Sequence, residues 1–139
     1  MISEYWLPAD PKAVPAARHT IMAACLEVGM SEEGCFALDL ALGEALANAV
    51  VHGSPSPTAY LRSVCVHLWV YQGRLFVQVR DHGAGFEPPM PPYPMPAADS
   101  GATHGRGLPL MQGLTDALAV CREDARDPGA SIYLIKNIA

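Results

Sequence analysis

Residues 38–53 read LDLALGEALANAVVHG, and the way this stretch folds decides how the chain folds. Leu38, Leu40, Leu42, Ala45, Leu46, Ala47, Ala49, Val50 and Val51 spread apolar side chains almost all the way round a helix. A helix that is hydrophobic on every side is normally buried. Glu44, Asn48 and His52 interrupt it at i, i+4 and i+8, so their side chains stack along one face. An unpaired carboxylate in such surroundings costs on the order of several kcal/mol or shifts its pKa. Water in a cleft, a metal or a ligand is therefore expected to face the stripe. A plainer alternative pairs Glu44 with Arg18 or Arg62, and His52 can either cap the last carbonyls of the helix or touch a ligand.

Toward the N-terminus, ISEYWL at 2–7 alternates loosely as a first strand, broken by Pro8, Asp10 and Pro11. Pro15 suits the first turn of a helix. Ala17, Ile21, Cys25 and Val28 then recur at a spacing of three to four, which marks one helical face. Gly29 closes that helix where a left-handed residue is wanted. Ser31 is a good N-cap, and Glu32 and Glu33 follow where the helix dipole favours negative charge. A second helix is thus expected from about Glu32 to His52, ended by Gly53 and the Ser-Pro-Ser-Pro turn at 54–57.

Toward the C-terminus the period changes to two. In residues 61–71, Val64, Val66, Leu68 and Val70 share one face, and Cys65, His67, Trp69 and Tyr71 the other. Gln72-Gly73 turns the chain, and Leu75, Val77 and Val79 resume the alternation up to Arg80, an antiparallel hairpin pattern. Six prolines between Pro88 and Pro96 forbid a regular element, so 84–105 is expected to be a long loop. Loops longer than about 12–15 residues are uncommon and are usually functional or disordered. Helical spacing returns at Leu108, Met111, Leu114 and Leu118, and two short strands, Ala117–Cys121 and Ser131–Ile135, close the pattern around the polar turn REDARDPG.

The totals set outer bounds. A chain of 139 residues suits one domain, 1–139, with a real core. Half of it is hydrophobic and 17% charged, which argues against disorder. A net charge of −5 gives no electrostatic reason to expect nucleic acid or an anionic membrane as partner. No apolar run is expected to reach the roughly 20 residues that span a bilayer. MISEYWLPADPK is not expected to be a signal peptide, which points to the cytoplasm. Cys25, Cys35, Cys65 and Cys121 are widely spaced in apolar surroundings, so buried free thiols are expected in preference to a zinc site or a disulfide framework.

Three clusters can carry chemistry: the Glu44/Asn48/His52 stripe, the turn Asp81-His82-Gly83-Ala84-Gly85, and Gly105-Arg106-Gly107. Glycines beside a strand-end aspartate let the backbone approach a flat ligand, and the carboxylate can accept from an exocyclic amine. Glycines and an arginine at the start of a helix favour phosphate through free N–H groups, the dipole and the guanidinium. Each cluster alone also fits a purely structural turn.

In order, E-x-x-x-N-x-x-x-H-G, D-x-G-x-G-F and G-R-G-L resemble the ATP-binding fold of gyrase, the ninety-kilodalton heat-shock chaperones, sensor histidine kinases and mismatch-repair ATPases. EALANAVVHG, VRDHGAGF, GRGLPLMQGLTDAL, the opening LPADPKAVPAARHTI and the closing GASIYLIK are similar to the small anti-sigma-factor serine kinases. The resemblance implies an α+β fold, a two-layer sandwich with helices on one face of a mixed, mostly antiparallel sheet. It implies Mg2+ on Asn48, Glu44 as general base, Asp81 at the adenine amine, and Gly83, Gly85 and Phe86 around the pocket floor. Gly105, Arg106, Gly107 and Leu108 would meet the phosphates of ATP, His52 and Ser131 would add contacts, and 86–104 would be the mobile lid. Ser131 stands near where such proteins often carry threonine, and the lid is unusually rich in proline. With no phosphoacceptor helix expected ahead of the domain, the chain is expected not to be a complete sensor histidine kinase. The implied activity is phosphorylation of a serine on a small anti-sigma antagonist, with a sigma factor as second partner and a homodimer as one possible assembly. A non-catalytic, nucleotide-gated binding module is the alternative.

Overall fold

The computed structural model describes residues 2–51, 64–82, 107–122 and 129–139. In chain order these form β1 (Ile2–Leu7), a 3-10 turn (Pro11–Ala13), α1 (Val14–Glu27) and α2 (Glu32–Val51). β2 (Val64–Tyr71), β3 (Arg74–Asp81), α3 (Gly107–Leu114), β4 (Ala117–Arg122) and β5 (Ala130–Asn137) follow.

Local chemistry sets the boundaries. The Asp10 carboxylate accepts from the Lys12 amide at 3.0 Å to hold the 3-10 turn. Gly29 stops α1 with φ of +88°, a conformation that costs a residue with a Cβ. Ser31 Oγ accepts from the Gly34 amide at 3.0 Å, capping α2 as expected. Gln72 and Gly73 both take positive φ, the two-residue turn whose twist suits a hairpin, and β2 pairs with β3 on either side of it.

The sheet has the order β1-β2-β3-β5-β4. All four pairings are antiparallel, so the mixed sheet expected from the resemblance is antiparallel throughout the described residues. Val64, Val66, Leu68, Leu75, Val77, Val79, Ile132 and Leu134 bury one face of it against Ile21 and Cys25 of α1, the inner stripe of α2, and Met111 of α3. The α+β two-layer architecture is the expected one.

One expectation is narrowed, and others concerning exposure and helix length need correction. Leu118 lies in β4, paired with Leu134, within the strand expected at Ala117–Cys121, so the helical spacing that begins at Leu108 stops short of it. The Thr115 hydroxyl donates to the Met111 carbonyl at 2.7 Å as α3 ends, and the Asp116 carboxylate accepts from the Asn137 amide at 2.7 Å, tying the turn to β5. Cys121 is exposed, unlike the other three cysteines, because β4 is an edge strand. Finally, α2 is buried on one side only: Phe36, Leu40 and Val51 on its outer side are 68%, 40% and 77% exposed. By length and composition α2 could cross a membrane, contrary to the sequence expectation, yet here Leu38, Leu42, Leu46 and Ala49 pack into the core.

Candidate functional site

α2 has two flanks besides its buried stripe. On one lie Asp39 and Gly43, covered by Arg18 of α1. The Arg18 guanidinium donates from Nε to Asp39 Oδ1 at 3.0 Å and from Nη2 to the Asp39 carbonyl at 3.3 Å. It lies so close that a Cβ built on Gly43 would sit 3.0 Å from Arg18 Cζ. Arg18 is thereby committed to Asp39, which removes it as the partner of Glu44; Arg62 lies outside the described residues.

The other flank carries Glu44 and Asn48, both half-buried and one turn apart. No hydrogen bond or ion pair reaches either side chain among the described residues. α3 begins beside them: a Cβ on Gly107 would lie 3.4 Å from Glu44 Oε2 and 3.8 Å from Met111 Cε. The start of α3 therefore lies beside the Glu44 carboxylate, and a helix start attracts anions. Leu108 packs its half-buried side chain on the core next to buried Met111.

Asp81 ends β3, 3% exposed, on the sheet face that the helices cover, two and four residues beyond the core positions Val79 and Val77. Gly129 shapes this corner. Its φ is +146°, and a Cβ there would come within 2.2 Å of the Asp81 carbonyl oxygen, so only glycine lets the entry to β5 pass. Arg80 is opposite Ser131 in the register, which sets Ala130 beside Asp81 and sends Ser131 to the other face. There Ser131 is buried and its Oγ accepts from Gln78 Nε2 at 3.1 Å. His82 leaves the corner on the outer side, its ring stacked on Trp6 at 5.6 Å between centroids.

Of the residues expected at the site, the structure gathers Glu44, Asn48, Gly107 and Leu108 around one helix flank and places Asp81 on the same side of the sheet. It does not bring Ser131 to them. His52, Gly83, Gly85, Phe86, Gly105, Arg106 and the expected lid at 86–104 lie outside the described residues. Gly129 and Ala130 were missed by the sequence reading; a glycine directly before the β5 alternation was the available signal.

This architecture, a helix layer over an antiparallel sheet with acid and amide groups on the central helix, has relatives. Residues 7–136 match the family described as "Histidine kinase-like ATPase domain". The chain belongs to that family, and within it stands among relatives of the serine-protein kinase RsbW. RsbW of Bacillus pumilus (strain SAFR-032) is 32% identical over 123 residues, 84% of this chain and 76% of that protein. RsbW of Bacillus licheniformis is 31% identical over 135 residues, 93% of this chain and 81% of that protein. Among solved structures, the RsbU and RsbW domains of Rv1364c from Mycobacterium tuberculosis superpose with a TM-score of 0.72 at 16% identity, over 99% of this chain. This chain spans 32% of that longer one. The histidine kinase domain of the Erythrobacter litoralis EL346 blue-light activated histidine kinase gives a TM-score of 0.52 at 21% identity, over 90% of this chain and 61% of that one. Both likenesses are of fold.

Proposed function

We propose that residues 1–139 act as one ATP-dependent protein serine kinase domain of the RsbW kind. In this reading it phosphorylates a serine on a small antagonist protein and binds a sigma factor as its second, alternative partner, in the cytoplasm. The observation that carries the proposal is the Glu44 carboxylate, half-buried, without a described partner and next to the first residue of α3. A half-buried carboxylate beside a helix start, with no described side-chain partner, is where a general base would be sought.

The donor chemistry fits the nucleotide. Asn48 offers a carboxamide oxygen, the hard ligand that Mg2+ accepts alongside phosphates and water. ATP would supply the phosphoryl group and Mg2+ the charge that neutralises it. Asp81, held by Gly129 at the end of β3, would accept from the adenine amine. The start of α3 at Gly107 would hold phosphate oxygens through its N–H groups. Glu44, a turn before Asn48, would take the proton of the attacking serine hydroxyl.

The test is transfer of labelled γ-phosphate from ATP to the antagonist. Glu44→Gln is expected to lower the rate by about 10²–10⁴-fold, the range of general-base contributions, while Mg-ATP binding stays near wild type. Transfer at the wild-type rate would remove Glu44 from the role. Partner binding that depends on Mg-ATP without any transfer would replace the kinase with a nucleotide-gated module.

A further inference from the structure

The face of the sheet that the helices leave uncovered holds a second set of chemically capable groups. Period two puts Cys65 and His67 on the same side of β2, and the β1–β2 register sets Glu4 directly opposite His67. Cys65 Sγ, His67 Nε2 and a Glu4 carboxylate oxygen all lie within 4.8 Å of one another. We propose that Glu4, Cys65 and His67 form a divalent-metal site suited to Zn2+, joining edge strand β1 to β2.

The distances match the ion. A tetrahedral Zn2+ with Zn–S near 2.3 Å and Zn–N near 2.0 Å separates the two ligand atoms by about 3.5 Å. Here Cys65 Sγ and His67 Nε2 stand 3.6 Å apart. His67 Nε2 to Glu4 Oε2 is 2.9 Å, a hydrogen bond that lengthens modestly when a metal takes the place of its proton. Glu4, 52% exposed, is the more adjustable partner even with its Oε1 accepting from the Trp6 indole N–H, whereas Cys65 is buried. A thiolate, an imidazole and a carboxylate together are a donor set that favours Zn2+ over Mg2+ or Ca2+, with water in the fourth position.

The imidazole is also aimed. Gln78 donates its amide nitrogen to Ser131, which turns its Oε1 to within 3.4 Å of His67 Nδ1. With a metal on Nε2, Nδ1 would keep its proton and donate to that oxygen, the outer hydrogen bond that oriented metal-binding histidines use. The thiol is pushed up to about 11 by burial first and then by the Glu4 charge, with Arg80 pulling the other way. It is neutral until a metal displaces its proton to solvent. This site lies on the opposite sheet face from Asp81 and α2, so it stands independently of the kinase reading.

The full, nucleotide-free chain titrated with Co2+ and then Zn2+ tests it. The expected result is one Co2+ per chain with a thiolate-to-cobalt charge-transfer band, erased by Zn2+. Cys65→Ser should abolish the band, and Cys121→Ser should leave it intact. His67→Gln and Glu4→Gln should each weaken binding, and Gln78→Ala should do so by about tenfold through lost orientation. Zn2+ should raise the melting temperature of wild type and not of Cys65→Ser. The proposal is overturned if wild type shows no such band, or if the band persists in Cys65→Ser.

Discussion

Gly129 and Glu44 bear on the proposed site by opposite means, one through the atoms it lacks and the other through a charge left open. Gly129→Ala must push either the Asp81 carbonyl or the β5 entry aside, because the added carbon would come within 2.2 Å of that oxygen. Strain at such a backbone position is worth about 1–3 kcal/mol. Denaturant unfolding is expected to register that loss, and Mg-ATP affinity should fall with it as Asp81 moves. Ser131→Ala is expected to leave Mg-ATP affinity unchanged, because Ser131 faces Gln78 on the other side of the sheet. A drop in affinity would return Ser131 to the site. Ser131 entered the expected site because it stands near where the resembling proteins often carry threonine, but the face of a strand residue depends on register. A shift of one residue reverses every side chain, and composition does not reveal it.

At the scale of elements, α2 works as a divided rod, with α1 held on the Asp39 flank and α3 against the Glu44 flank. The Arg18–Asp39 pair is roughly one-third exposed on both sides, so solvent screens it. Arg18→Gln should cost no more than about 1 kcal/mol in chemical denaturation and leave phosphotransfer unaltered. A large loss of transfer would mean that the two flanks are coupled. Boundaries made by neighbouring residues were legible in the sequence: Ser31 as cap, Gly29 as stop, Gln72-Gly73 as hairpin turn. Leu118 fitted both the helical spacing from Leu114 and the strand expected at Ala117–Cys121, and the strand prevails because Asp116 is bonded to β5, some twenty residues away. The outer side of α2 was misread for a related reason. Periodicity counts apolar residues but not how many layers surround them, and two layers leave Phe36, Leu40 and Val51 in solvent.

In the whole molecule the helix layer and the sheet enclose a core that includes the Cys25 thiol. Burial pushes that thiol up from 9.0 to about 12, with Cys35 and Asp39 adding to the shift. The folded state keeps the proton to higher pH than the unfolded chain does. The associated stability is complete below pH 9 and is lost as pH rises from 9 toward 12. Urea midpoints should therefore fall across that alkaline window, and Cys25→Ala should flatten part of the fall; an identical slope in the variant would contradict the assignment. The architecture was legible from motif order, and Glu44 and Asn48, one turn apart, share a helix face as their spacing requires. The corner around Asp81 was less so, since it depends on a close approach between strands far apart in sequence. The central claim is that α2, α3 and the Asp81 corner form one Mg-nucleotide site, and calorimetric titration of the chain with Mg-ATP tests it most directly. Saturable single-site binding that Asp81→Asn abolishes is the predicted result, and a flat titration of the folded wild-type chain would contradict it.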